Sequence, residues 1–84
     1  MNIEQEKEKL KVVVYKFTAE LHKKLFKKIE EGYEGWNEIK NKEMIKSTLI
    51  DKLKKGLTGD NLVDIANYCM FLWNIEKTIS EENI

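Results

Sequence analysis

The chain contains no proline and no arginine, a single cysteine and a single histidine among 84 residues, and its charges cancel to a formal net of zero. Each scarcity excludes something. Without proline, no helix need be kinked or stopped by a missing N–H. One cysteine rules out a disulfide framework within the chain. A domain this short must then draw its stability from packing, a ligand or association with another chain. Zero net charge without guanidinium groups argues against a nucleic-acid partner, which wants a basic excess and arginine forks to phosphate and base. No Cys/His/Asp group has zinc spacing, and no glycine-rich phosphate loop is present. The longest apolar run is too short to span a membrane and carries Asp64 and Asn67. The Glu- and Lys-rich start lacks the apolar core of a signal peptide. A soluble cytoplasmic domain with one core is the expectation.

What remains is patterned for helices. The spacing predicts a helix over residues 3–31, a loop over 32–40, a second helix over 41–55 and a third over 60–79. In the first, Leu10, Val14, Phe17, Leu21 and Leu25 form one core face. Val12, Tyr15, Ala19, His22 and Phe26 form a second series at 3-4-3-4 spacing, almost on the opposite side. The outer helix of a three-helix chain needs only one such face, so the second predicts contact with another copy of the chain. Val12-Val13-Val14-Tyr15 would also suit a strand, but no second strand candidate exists to pair with it. Gly32-Tyr33-Glu34-Gly35-Trp36-Asn37 is the clear breaker, and Trp36 is expected to pack back on the bundle. Asn41 is placed to cap the second helix and Gly56 to stop it. Asp60 or Thr58 is placed to cap the third.

That third helix organises the chain. At 100° per residue, Asp60, Asp64, Asn67, Asn74 and Thr78 fall in one stripe interrupted by Phe71, while Leu62, Ile65, Ala66, Cys69, Leu72 and Trp73 point elsewhere. A helix apolar over most of its circumference belongs inside a bundle. Its polar stripe is then expected to face water, a partner or a ligand, because unpaired buried polar groups are costly. Asp64 and Asn67 read either as a site or as a structural hydrogen-bonding pair. Cys69, opposite the stripe, is expected to be a core thiol. Lys23, Lys24, Lys27 and Lys28 read as a solvated face, and His22 as packing in a seam. Tyr33, Trp36, Tyr68 and Trp73 could stack a base or fill a core.

Phe17, Lys24-Leu25, Gly35-Trp36 and the run Val63-Asp64-Ile65-Ala66-Asn67-Tyr68-Cys69-Met70-Phe71-Leu72 together resemble the MazG-like family, all-α nucleotide pyrophosphohydrolases whose short forms are common in phages. The resemblance runs from Phe17 to Trp73, about two-thirds of the chain. It implies a bundle assembled from two or more chains that cleaves nucleoside triphosphates to monophosphate and pyrophosphate with Mg²⁺. The family's metal site combines a Glu-Glu-x-x-Glu cluster on one helix with Glu-x-x-Asp on the next. Asp64 matches the final Asp, and Asn67 the Asn that commonly follows it. Asn61 stands where the preceding Glu is expected, and Lys52, Lys54 and Lys55 stand where the first cluster would be. Asp51 is the only late carboxylate of the second helix, and it projects away from the apolar face.

Mg²⁺ in a triphosphate site needs two or more inward carboxylates, and this chain offers one good candidate. The reading is therefore an all-α, three-helix, MazG-like bundle completed by oligomerisation through helix one, which binds a nucleotide or nucleotide-derived molecule without hydrolysing it. Sequestering a nucleotide signal would suit a phage-type protein. Ligand-binding candidates are Asp64, Asn67, Asp60, Lys52, Tyr68 and Trp36. Asp64 is the metal ligand if Mg²⁺ binds, and no residue is assigned a catalytic role. A Mg²⁺-dependent pyrophosphohydrolase with a reduced site and a helical interaction module are the alternatives.

Overall fold

Apolar residues at three- and four-residue steps bury themselves most cheaply on helices, and the computed structural model, described over residues 2–82, is helical as expected. Helix α1 spans Ile3–Glu30, α2 Lys42–Lys55 and α3 Gly59–Glu82, with one 3₁₀ turn at Ile39–Asn41. No strand forms among the described residues, and Val12 to Tyr15 lie within α1. No helix among them is long and apolar enough to cross a membrane.

Local chemistry sets the boundaries. The Asn2 side chain caps α1 by accepting from the Gln5 N–H at 3.1 Å, and Glu4 and Glu6 complement the positive end of the helix dipole. At the other end the Gly32 N–H donates to the Ile29 carbonyl at 3.0 Å and the Tyr33 N–H to the Lys28 carbonyl at 2.9 Å. This is the Schellman arrangement, with Gly32 supplying the positive φ. Gly56 ends α2 as expected. Asn41 does not cap α2 with its side chain. It turns back and donates from Nδ2 to the Gly35 carbonyl at 2.9 Å, pinning the loop that carries Trp36. Helix α3 begins at Gly59, so Asp60 lies inside its first turn, and the helix runs three residues beyond the expected end at 79.

The core is small. Ile45 of α2 and Tyr68, Phe71 and Ile75 of α3 form its centre. Leu25 at the end of α1, Tyr33 and Trp36 of the loop, and Leu49 of α2 pack around them. Trp36 lies against Phe71 with ring centroids 5.6 Å apart, so the loop closes on the core as its sequence suggested. Helices α2 and α3 lie side by side, joined by three residues. Helix α1 joins them only near its C-terminal end and buries no residue fully. Its 28 residues make a rod about 42 Å long. The radius of gyration is accordingly 15.4 Å, against about 12 Å for a rounded chain of this length.

One expectation is reversed. From Asp64 onward the polar stripe of α3 faces inward, with Asn67 and Phe71 each only 3 % exposed, while Asp60 at its start is exposed. The side expected to be buried is largely open, with Leu62, Cys69, Met70 and Trp73 exposed. Cys69 is therefore not a core thiol of the single chain. The reason is bulk: Tyr68 and Phe71 fill the space against Ile45, and their direction carries Asn67 in with them.

The loop lock yields a comparison. Gly32 and Gly35 both have φ near +90°, but a Cβ at Gly32 meets nothing within 4 Å whereas one at Gly35 lies 2.7 Å from Asn41 Nδ2. Gly32→Ala should cost about 1–2 kcal/mol of backbone strain. Gly35→Ala should cost about 1 kcal/mol more through the lost Asn41 bond. Urea titrations of both variants at one protein concentration measure the difference.

Candidate functional site

Asp64 lies one turn into α3, where its carboxylate reaches both other helices. Lys24 of α1 donates to Oδ1 at 2.7 Å and Lys52 of α2 to Oδ2 at 3.1 Å. The Lys24 ammonium also donates to the Asp60 carbonyl at 3.1 Å. All three side chains are largely removed from water, with Asp64 16 % exposed. Burial pushes the Asp64 carboxyl upward, but hydrogen bonds and charge from Lys24 and Lys52 outweigh it and hold the group below the usual carboxylate range. One carboxylate thus ties three helices together.

Asn61, one turn earlier, faces the end of α2. Its Nδ2 donates to the Lys52 carbonyl at 2.7 Å and to the Gly56 carbonyl. Those carbonyls belong to the last turn of α2 and its cap, where intrahelical donors run out. The amide at this position closes a helix end. Asp51 is exposed. No group of three or more His, Cys, Asp or Glu side chains among the described residues is arranged to hold a metal ion. With both Asp64 oxygens turned to ammonium groups, the residues present do not fit a Mg²⁺ site.

They fit an anion better. Beside Asp64 a cleft of about 190 Å³ is lined by Lys24, Lys27, Lys28 and Glu31. Three lysines face two carboxylates there, and Lys52 approaches Asp64 from behind, so the cleft is net positive. A second, apolar hollow of about 150 Å³ shares the end of α1, between Leu25, Phe26, Tyr33, Trp36 and Met70. Lys28 links the two, its ammonium 5.6 Å from the centre of the Tyr33 ring. Burial, reinforced by the adjacent Tyr68 hydroxyl, raises the Tyr33 phenol to about 12, so it stays protonated at neutral pH.

The six sequence candidates do not converge on one pocket. Asp64 and Lys52 meet directly. Asp60 contributes its backbone carbonyl while its side chain is exposed. Tyr68 is buried edge-on against Phe71 with centroids 5.4 Å apart, and Trp36 borders the apolar hollow. Asn67 is buried among core residues, and neither Nδ2 nor Oδ1 has a hydrogen-bond partner. At the far end of the stripe, Thr78 bonds back to the Asn74 carbonyl at 3.0 Å. Lys24 is the residue that sequence reasoning missed. It follows Leu21 by three and precedes Leu25 by one, which places it at the edge of the core-facing series rather than among solvated lysines.

Comparison of the chain with protein-family models, with curated proteins and with solved structures returns no match.

Two outcomes are expected of the buried polar groups. Asp64→Asn leaves two half-buried ammonium groups facing each other without their counter-charge and should cost about 1–3 kcal/mol at pH 7. A carboxyl held low in the folded state stabilises above its unfolded value near 4 and loses that contribution as pH falls through the folded value. Wild type should therefore show an acid loss of stability that Asp64→Asn lacks, readable from urea midpoints at pH 7 and pH 3. Asn67→Leu, which keeps the branched shape and the number of heavy atoms, removes two unpaired polar atoms and should raise stability by about 1 kcal/mol. A fall of that size in urea midpoint would mean that the amide has found a partner in solution.

Proposed function

We propose that this chain is a non-hydrolytic binder of a nucleotide or nucleotide-derived anion, built on a MazG-like helical plan of the short phage type and acting in the cytoplasm. The observation that carries the reading is the Asp64 carboxylate between Lys24 and Lys52 at the edge of a net-positive cleft. In a triphosphate pyrophosphohydrolase that carboxylate would hold Mg²⁺ together with others. Here its charge is already matched, and the neighbouring lysines are better suited to phosphate as point charges. Lys27 and Lys28 face the cleft without a carboxylate partner of their own among the described ion pairs. The apolar hollow beside Trp36 and Tyr33 can take a base. Gly35-Trp36 and the Asp64-to-Asn67 run support the MazG-like plan, and Asn61 in its helix-closing role supports loss of the metal chemistry.

A thermal-shift screen against ATP, dATP, inorganic triphosphate and cyclic dinucleotides, with and without Mg²⁺, tests this. A ligand at 100 times its Kd should stabilise the protein by about 2.7 kcal/mol. The stabilisation should persist without Mg²⁺, weaken with salt and vanish in a Lys27→Glu, Lys28→Glu variant. Pyrophosphate release from nucleoside triphosphates should stay at background. Turnover of about 1 s⁻¹ or more, lost on changing Asp64 to Asn, would restore the enzymatic reading.

A second reading is favoured by its own observation. Because α1 buries no residue fully, the chain also suits a helical module whose business is association through that helix, with itself in the first instance. The two readings are compatible, since an oligomer can carry the cleft.

A further inference from the structure

We infer that the apolar hollow and the lysine cleft form one site for a compact aryl phosphate, a plain aromatic ring on a short tether to its anion. The inference rests on the anion-binding reading of the cleft and goes beyond it by naming what the hollow selects.

The hollow is set before any ligand arrives. Phe26 and Ile29 line it from α1, Met70 and Phe71 from α3, and Tyr33 and Trp36 from the loop between α1 and α2. Phe71 is fixed in the core, Trp36 lies against it, and the Asn41 amide holds the Trp36 loop through the Gly35 carbonyl. The volume, about 150 Å³, matches that of a cavity that admits benzene. One aromatic ring fills it.

The atoms that line the hollow are apolar. The ring nitrogens and carbonyls of a nucleobase would lose water there and gain no partner, a cost that a plain ring does not carry. Tyr33, Trp36 and Phe71 offer such a ring aromatic neighbours. Charge fixes the other end of the ligand. Lys28 stands 5.6 Å from the centre of the Tyr33 ring, which borders the hollow, and lines the cleft with Lys24 and Lys27. Asp64 and Glu31 line the same cleft, but Asp64 is already held by Lys24 and Lys52. An anion tethered to a ring in the hollow therefore meets Lys28 and Lys27 at the rim. That complementarity favours an aryl anion over an uncharged apolar occupant.

Nuclear magnetic resonance on the full chain tests this with phenyl phosphate as the probe. Of the two tryptophans, Trp36 borders the hollow and Trp73 does not. Phenyl phosphate should move the Trp36 indole signal and the Lys27 and Lys28 amides, leave Trp73 in place, and bind about tenfold more tightly than inorganic phosphate. Pyridin-3-yl phosphate, the same shape with one ring nitrogen, should bind about fivefold more weakly than phenyl phosphate. Ile29→Trp, at a half-exposed position, should fill the hollow and reduce phenyl phosphate to the affinity of inorganic phosphate. Met70→Trp carries the same test from α3 if Ile29→Trp fails to fold. A Trp36 signal that no probe moves, as when a second protein chain covers the hollow, would overturn the inference. So would phenyl phosphate binding no more tightly than inorganic phosphate, or pyridin-3-yl phosphate binding as tightly as phenyl phosphate. Phosphate at Lys27 and Lys28 in any of those cases leaves the anion-binding reading standing, whereas a cleft that takes none of the three probes would overturn both.

Discussion

The rest of the structure depends on a charge balance at one point, where the Asp64 carboxylate of α3 meets an ammonium group from each of the other two helices. Isolated, a carboxylate at this depth would be pushed toward its neutral form. Two lysines reverse that and in doing so fix where α1 crosses α3. This matters because α1 has little else to hold it: Leu25 is its residue packed against the core cluster, and the helix has no fully buried side chain. Around the same carboxylate the helix ends are closed locally, α2 by the Asn61 amide and α1 by the Gly32 turn.

The same balance decides the chemistry. A carboxylate whose two oxygens are both met by ammonium groups is poorly placed to take a proton or a divalent cation. It holds Lys24 at the edge of a net-positive cleft. Asn67, one turn onward, shows the opposite condition: a buried amide with no partner. The chain satisfies the part-buried carboxylate of Asp64 generously and leaves a neighbouring amide unmet.

The helices were legible in the sequence because apolar periodicity, glycine stops and the absence of proline all agree, and their bounds shift by only a few residues. The direction of α3 was not. Counting polar and apolar positions tells how much of α3 is apolar but not which side its own chain covers, and α2 and the short end of α1 are enough to cover only one side. Phe71 within the polar stripe was the signal that this side turns inward. The site was half legible. Asp64 and Lys52 are in contact, but Lys24 read as one lysine among four, because its proximity to α3 depends on how two distant helices cross. Asn61 read as a missing ligand, and its positive role appears only when the end of α2 lies beside it.

A double-mutant cycle addresses the charge balance most directly. Asp64→Asn and Lys24→Met, made singly and together and each repeated in a Lys52→Met background, would be compared by urea denaturation at pH 7. Groups in one network lose less together than the sum of their separate losses, by about 0.5–3 kcal/mol. Such a coupling is expected between Asp64 and Lys24, with a change in its size when Lys52 is absent. Additive losses in both backgrounds would contradict it, since Asp64 would then join the helices through packing and not through charge.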